Sequence, residues 1–206
     1  MNAENVLEKL KNRVPSVMDQ KKFKNYAVLL PLVKIENELH LLFEVRSLQM
    51  RSQPGDICFP GGRVDKEDAN EMQCALRETS EELGIDRSMI QHVYPLDYLV
   101  TNNRGIIYPF AGEITSLEKI NLNRDEVAEV FTVPLTHFLE NEPKIHKINL
   151  KVIPEANFPF ELIQDGKNYD WRTRQMDELF YLYHERVIWG LTAKIIAHFI
   201  DVIRSN

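Results

Sequence analysis

Cysteine is scarce: Cys58 and Cys74 are the only two in 206 residues. Two cysteines exclude a disulfide framework, and neither has a partner at metal-ligand spacing. Both read as small buried or half-buried apolar side chains, and the chain as one suited to a reducing, cytoplasmic compartment. Long apolar runs are also missing. Nothing approaches the ~20 consecutive apolar residues a membrane helix needs. The start, Met1-Asn2-Ala3-Glu4-Asn5, has neither the basic end nor the apolar stretch of a secretory signal. Positive charge is in deficit, with 25 Lys and Arg against 31 Asp and Glu, a formal net charge of −6. That excludes the broad basic footprint that binds nucleic acid, although a local basic pocket is compatible with it. There is no low-complexity tract and no internal repeat.

What is present is ordinary for one globular α/β domain spanning 1–206: 44% apolar and 27% charged residues. A short amphipathic helix is expected over 4–13. Strands are expected at 26–33 and 39–45 about the turn Glu36-Asn37-Glu38, at 56–59, 93–100, 106–114 and 127–133. The spacing of Met72, Ala75, Leu76, Thr79 and Leu83 predicts a helix over 68–83, with Gly84 where a C-terminal glycine cap belongs. The apolar stretch 187–203 reads as a long packing helix, with Trp189 in the core. Strands mixed with few helices imply a mixed sheet covered by helices. Residues 141–174 are richer in polar and turn-forming residues and read as an insertion or lid.

The chemistry is concentrated in Arg77-Glu78-Thr79-Ser80-Glu81-Glu82-Leu83-Gly84. On a helix Glu78, Glu81 and Glu82 share one face, turned away from Met72, Leu76 and Leu83. Like charges at i, i+4 cost about 0.2–0.5 kcal/mol, and acids near a helix C-terminus oppose its dipole. A hard divalent cation relieves both and bridges naturally to phosphate oxygens. An acidic stripe alone is more often a solvated face, with Arg77 paired to Glu81. The tight turn Phe59-Pro60-Gly61-Gly62 shortly before it shifts the balance, since glycine lets backbone approach a ligand closely.

Turn and stripe together resemble the Nudix box: a glycine, five residues, Glu, seven residues, then Arg-Glu-apolar-x-Glu-Glu-x-Gly-apolar. Gly62 supplies the first glycine and residues 77–85 the second half, so the box covers about 62–85. Asp68 stands where the first Glu is expected, with one extra residue before Arg77, and Thr79 replaces an apolar residue. The resemblance implies a Nudix-type α/β/α sandwich with a mixed β-sheet. It also implies Mg²⁺ or Mn²⁺ held by Glu78, Glu81 and Glu82, and an Arg77 that orients a ligand carboxylate by forked hydrogen bonds.

Residues 41–62 further resemble the coenzyme A diphosphatase subgroup, whose signature runs Leu-Leu-Thr-x-Arg-Ser, three residues, Arg, three residues, Gly, three residues, Phe-Pro-Gly-Gly. Arg46, Ser47, Arg51, Gly55, Phe59, Pro60, Gly61 and Gly62 match; Phe43 and Glu44 depart. The segment 188–193 resembles that subgroup's C-terminal helix. The implied reaction cuts the diphosphate of CoA or acyl-CoA to adenosine 3′,5′-bisphosphate and 4′-phosphopantetheine. Arg46 and Arg51 suit phosphate oxygens, and Gly55, Phe59, Gly61 and Gly62 line the expected substrate side. Glu81, Glu126 and Glu129 are the candidates for general base, though a polar strand edge explains the last two equally well. A Nudix hydrolase of ADP-ribose or another diphosphate conjugate, and a non-catalytic nucleotide-binding module, are the rival readings. Assembly as a homodimer is left open.

Overall fold

The computed structural model describes residues 2–101 and 105–205. Met1 and Asn206, the ends of the expected domain, lie outside them. The centre is the long strand β1 (Lys24–Ile35). It pairs in parallel with β7 (Gly105–Ile114) and antiparallel with β2 (Glu38–Arg46), so the sheet is mixed. Beyond β2 lie β3 (Ile57–Cys58) and β8 (Val127–Pro134); β4 (Gly61–Arg63) pairs with β1. On the other side β5 (Ile90–Pro95) and β6 (Leu99–Val100) pair with β7.

The alternation of a strand explains the layers, because successive side chains point to opposite faces. Ala27, Leu29 and Val33 of β1 and Leu42 of β2 pack with Cys74, Ala75 and Leu83 of helix α2 (Glu71–Leu83). Leu30, Leu41 and Phe43 point the other way, into a second core with Phe138 of α3 (Leu135–Glu140) and with Ile195, Ile196 and Phe199 of α4 (Gly190–Ser205). The sheet between two helical layers is the expected α/β/α sandwich. A smaller antiparallel sheet joins β9 (Lys144–Leu150), β10 (Arg174–Tyr183) and β11 (Arg186–Trp189). No helix among the described residues is long and apolar enough to cross a membrane.

Several expectations need correction. The N-terminal helix α1 is shorter, Ala3–Glu8, and buries none of its residues. The stretch 93–100 divides between β5 and β6, and β5 is irregular between Gln91 and Tyr94, where His92 takes a φ of 50°. Within the region 141–174, Lys144–Leu150 forms β9. The largest correction is at the C-terminal apolar stretch, whose first residues form β11. Ile188 is buried while Val187 and Trp189 are exposed, a period of two rather than 3.6. Gly190, at a φ of +64°, then turns the chain into α4.

Candidate active site

The tight turn forms because residues 61 and 62 must have no side chain. Gly61 adopts a φ of +154°, and a Cβ there would stand 2.3 Å from the carbonyl oxygen of Ala27. A Cβ on Gly62 would stand 2.3 Å from Cδ of Glu78. The turn is thereby pressed between β1 and α2. Its Gly61 N–H donates to Oε2 of Glu82 at 2.7 Å, which fixes that carboxylate in place.

Helix α2 starts later than its apolar spacing suggests, because residues 65–68 form their own turn. Asn70 caps the helix by accepting from the Gln73 N–H at 3.0 Å, and Gly84 ends it at a φ of 60°. Thr79 fits the apolar position of the box: it is fully buried, and its hydroxyl donates to the Ala75 carbonyl at 2.7 Å. Asp68 takes the Arg77 fork, with Nε to Oδ1 and Nη2 to Oδ2 both at 2.9 Å. That hydrogen-bonded fork holds the Asp68 carboxyl well below its ordinary range. Nη1 of Arg77 reaches Oε1 of Glu78 at 2.9 Å and Oε2 of Glu81 at 3.1 Å. Arg77 thus ties the turn before the helix to the acidic stripe.

The acids do not share one environment. Glu81 is exposed and turned to Arg77. Glu78 is half-buried, and burial raises its pKa against the pull of Arg77. Glu82 is buried at 4% exposure, which corrects the expectation that the whole stripe faces away from the core. Burial, then the charge of Glu44, push its carboxyl up to about 9.

Glu44 belongs to this cluster, although in sequence it is visible only as a departure from a signature. It is 1% exposed, and its carboxyl is pushed up to about 7 by burial, partly offset by a hydrogen bond from the Cys58 thiol to Oε1 at 3.2 Å. A charged residue inside the apolar run Leu41-Leu42-Phe43-Glu44-Val45 of a strand covered on both faces was the available signal. Cys58 is driven far above the ordinary thiol range by burial and by Glu44, so it stays protonated.

Some of these groups, Glu78, Glu82 and Cys58, border a cleft of ≈ 860 Å³. Glu78, Glu82, Gly61 and Gly62 line one part of it, with Phe59 beside them; Phe59 stacks on Phe43 with centroids 5.0 Å apart. Arg46 lines another part. A register shift between Val45 and Arg46 ends the ladder there, and Arg46 Nε donates to the Ser52 carbonyl at 3.4 Å. Glu126 also lines the cleft, and its carbonyl accepts from the Ser47 N–H at 2.7 Å. Arg51 is an exposed loop residue outside the lining, and Gly55, at a φ of +78°, shapes the same loop. Glu129 is outside as well, paired with Arg186. Trp189, expected in the core, is 44% exposed, lines the cleft and stacks on Phe180 at 9° between ring planes.

Among the described residues no three His, Cys, Asp or Glu side chains converge on one point as a ready-made cation cage. The donors still fit a hard divalent ion. Glu82 and Glu44 are desolvated acids that repel one another, and Oε2 of Glu44 is buried without a hydrogen-bond partner. Mg²⁺ is commonly held by one or two carboxylates, with water and substrate phosphates filling the other positions.

A glycine turn pressed between an acidic helix and the central strand of a mixed sheet, itself between helical layers, is the construction of a Nudix domain. The sequence matches the NUDIX domain family over residues 26–156, and the chain belongs to that family. It is 33% identical over 144 residues to the mouse peroxisomal coenzyme A diphosphatase NUDT7, covering 70% of this chain and 56% of that protein. The chain therefore spans little more than half of that relative's length. It is also 31% identical over 170 residues to the uncharacterized Nudix hydrolase NudL of Photorhabdus laumondii, covering 82% of this chain and 80% of the relative. Among solved structures, a MutT/nudix family protein from Enterococcus faecalis aligns with a TM-score of 0.49 at 16% identity, covering 99% of this chain and 70% of that one.

Proposed function

We propose that the chain is a metal-dependent pyrophosphohydrolase that cuts the diphosphate of coenzyme A or acyl-CoA, giving adenosine 3′,5′-bisphosphate and (acyl-)4′-phosphopantetheine. The observation that carries this reading is the cleft itself, which is lined by Glu78, Glu82, the Gly61-Gly62 turn and Arg46 together. Acids for a cation and a guanidinium for phosphate oxygens are the two halves of a diphosphate site. The CoA-type signature over residues 46–62 and the 33% identity to a relative named as a CoA diphosphatase support the choice of substrate.

In this reading Glu78, Glu82 and Glu81 hold Mg²⁺ or Mn²⁺, and Arg77 keeps Glu78 and Glu81 oriented. A cation held there would supply polarisation of the phosphoryl oxygens and neutralisation of the charge that develops on them. Arg46 binds phosphate oxygens, and Arg51 reaches the substrate from the exposed part of the loop. Water attacks one phosphorus in line, the bridging P–O bond breaks, and the two phosphate products share the elements of that water. Of the candidate bases, Glu126 has the strongest support, because it lines the cleft while Glu81 is engaged by Arg77 and Glu129 by Arg186.

Product analysis by chromatography tests this with CoA, dephospho-CoA and ADP-ribose in Mg²⁺, beside Glu82→Gln. CoA is expected to yield adenosine 3′,5′-bisphosphate, with dephospho-CoA cut more slowly and the variant inactive. Cleavage of ADP-ribose alone would overturn the substrate, and tight nucleotide binding without turnover would overturn the enzyme.

A further inference from the structure

Glu44 is not needed by the family pattern: counted back from Arg46, the CoA-type signature carries threonine at its position. A buried carboxylate placed where the signature has a small neutral side chain is costly unless something compensates its charge. Backbone geometry decides where it points. Leu42 and Glu44 lie on the same face of β2, and Leu42 packs in the core that includes α2. Glu44 is therefore beneath the acidic helix, while Phe43 between them points to the α4 side. Its cross-strand partner is Cys58, which lines the cleft next to Gly61 and Glu82. Cys58 occupies Oε1, and Oε2 is fully buried with no partner.

Among the described residues no cation is paired with that oxygen. Arg77 is engaged by Asp68, Glu78 and Glu81, and Arg46 lies on the cleft wall with its Nε on the Ser52 carbonyl. Among the described residues, the charges that act most on Glu44 are Arg46 on its own strand, Glu78 on α2 and Glu126 on the loop before β8; Glu82 on α2 feels Glu44 in turn. All but Arg46 are acids. A buried, unpartnered carboxylate oxygen among further acids is the arrangement a bound divalent ion completes.

We propose that Glu44 is an additional carboxylate ligand of the divalent cation, acting from behind Cys58 in the cleft wall together with Glu82. This rests on the metal-dependent reading of the cleft. It makes the cation site of this chain more acidic, and more deeply anchored in the sheet, than the signature alone implies. Loss of the ligand weakens cation binding even when no substrate is present.

The test is Mn²⁺ binding to the full chain, followed by calorimetry and by the electron paramagnetic resonance signal of free Mn²⁺. The proteins compared are the wild type, Glu44→Gln, Glu44→Asp, Glu44→Thr and Glu82→Gln. Melting curves in chelator verify that each is folded. Glu44→Gln and Glu44→Thr are expected to bind Mn²⁺ at least about tenfold more weakly, the lower end of what loss of a metal's supporting groups costs. Glu44→Asp keeps the charge but withdraws the oxygen, and is also expected to bind more weakly. Unchanged affinity in Glu44→Gln and Glu44→Thr, with binding lost in Glu82→Gln, overturns the role of Glu44 alone. Wild-type affinity in Glu44→Asp beside weak binding in Glu44→Gln also overturns it, since a charge at a distance then suffices. Unchanged affinity in Glu82→Gln as well overturns the metal site on which the proposal rests.

Discussion

Replacing Arg77 by alanine removes the group that joins the turn before α2 to the acidic stripe. Six hydrogen bonds go with it: two to Asp68, one each to Glu78 and Glu81, and two longer ones to the Arg63 carbonyl and the Cys74 sulfur. The bond to Glu81 contributes little, because that carboxylate is 56% exposed and readily solvated. Those to Asp68 matter most, since its side chain is 4% exposed and Arg77 itself is 21% exposed. Breaking one side of a buried ion pair costs about 3–5 kcal/mol. The residual exposure of Arg77 lets water reach the remaining charge, which favours the lower end. A loss of about 3 kcal/mol in a domain of this size lowers Tm by about 6–12 °C. The assay is thermal and urea unfolding of the wild type, Arg77→Ala, Arg77→Lys, Asp68→Asn and the double variant Arg77→Ala with Asp68→Asn. Arg77→Lys keeps the charge but not the fork, and should fall between wild type and Arg77→Ala. The double variant should lose less than the sum of the singles, because the second change removes a charge already orphaned. The acid limb supplies the sign. Arg77 depresses the folded-state pKa of Asp68, so the pair's contribution is present above the ordinary value of 3.8 and is lost as pH falls through the folded value. The variants should therefore converge on the wild type in strong acid. A Tm for Arg77→Ala within 2 °C of wild type near neutral pH (about half a kcal/mol on this scale) would refute the ion-pair argument.

Gly62→Ala should fold with a modest loss of stability yet lose most of its activity, because the new Cβ falls on the Glu78 carboxyl group, 2.3 Å from its Cδ; wild-type kcat would show that Glu78 moves aside freely. Without metal, stability should decline from about pH 5 to pH 9, since Glu44 and Glu82 are raised from 4.5 to about 7 and about 9 and the unfolded chain releases those protons first. The Tm gain from saturating Mg²⁺ should grow across the same window, and a flat chelator profile by differential scanning fluorimetry would contradict this. Glu126→Gln should reduce kcat by about 10²–10⁴ with little change in KM if Glu126 takes the proton from water; an unchanged kcat would move the base elsewhere.

The sequence by itself determined what depends on local geometry. Gly61, Gly62 and the spacing from Glu78 to Glu82 fix a turn and a helical stripe, because a positive φ and a 3.6-residue repeat are properties of neighbouring residues. Strand periodicity and the Gly84 cap likewise placed β1, β2, β7 and the end of α2. The tertiary structure decided matters of distant contact. Which stripe acids are buried depends on the turn pressing on Glu82 from 21 residues away. Asp68 gains a partner only because the chain folds back to Arg77, so its departure from the box looks neutral until then. Glu44 shares a face with α2 only once β2 lies beneath it, and Trp189 reaches the cleft only because β11 joins a second sheet before Gly190 starts α4. Such positions combine burial with charge, and burial is a property of the packed molecule that no spacing along the chain records.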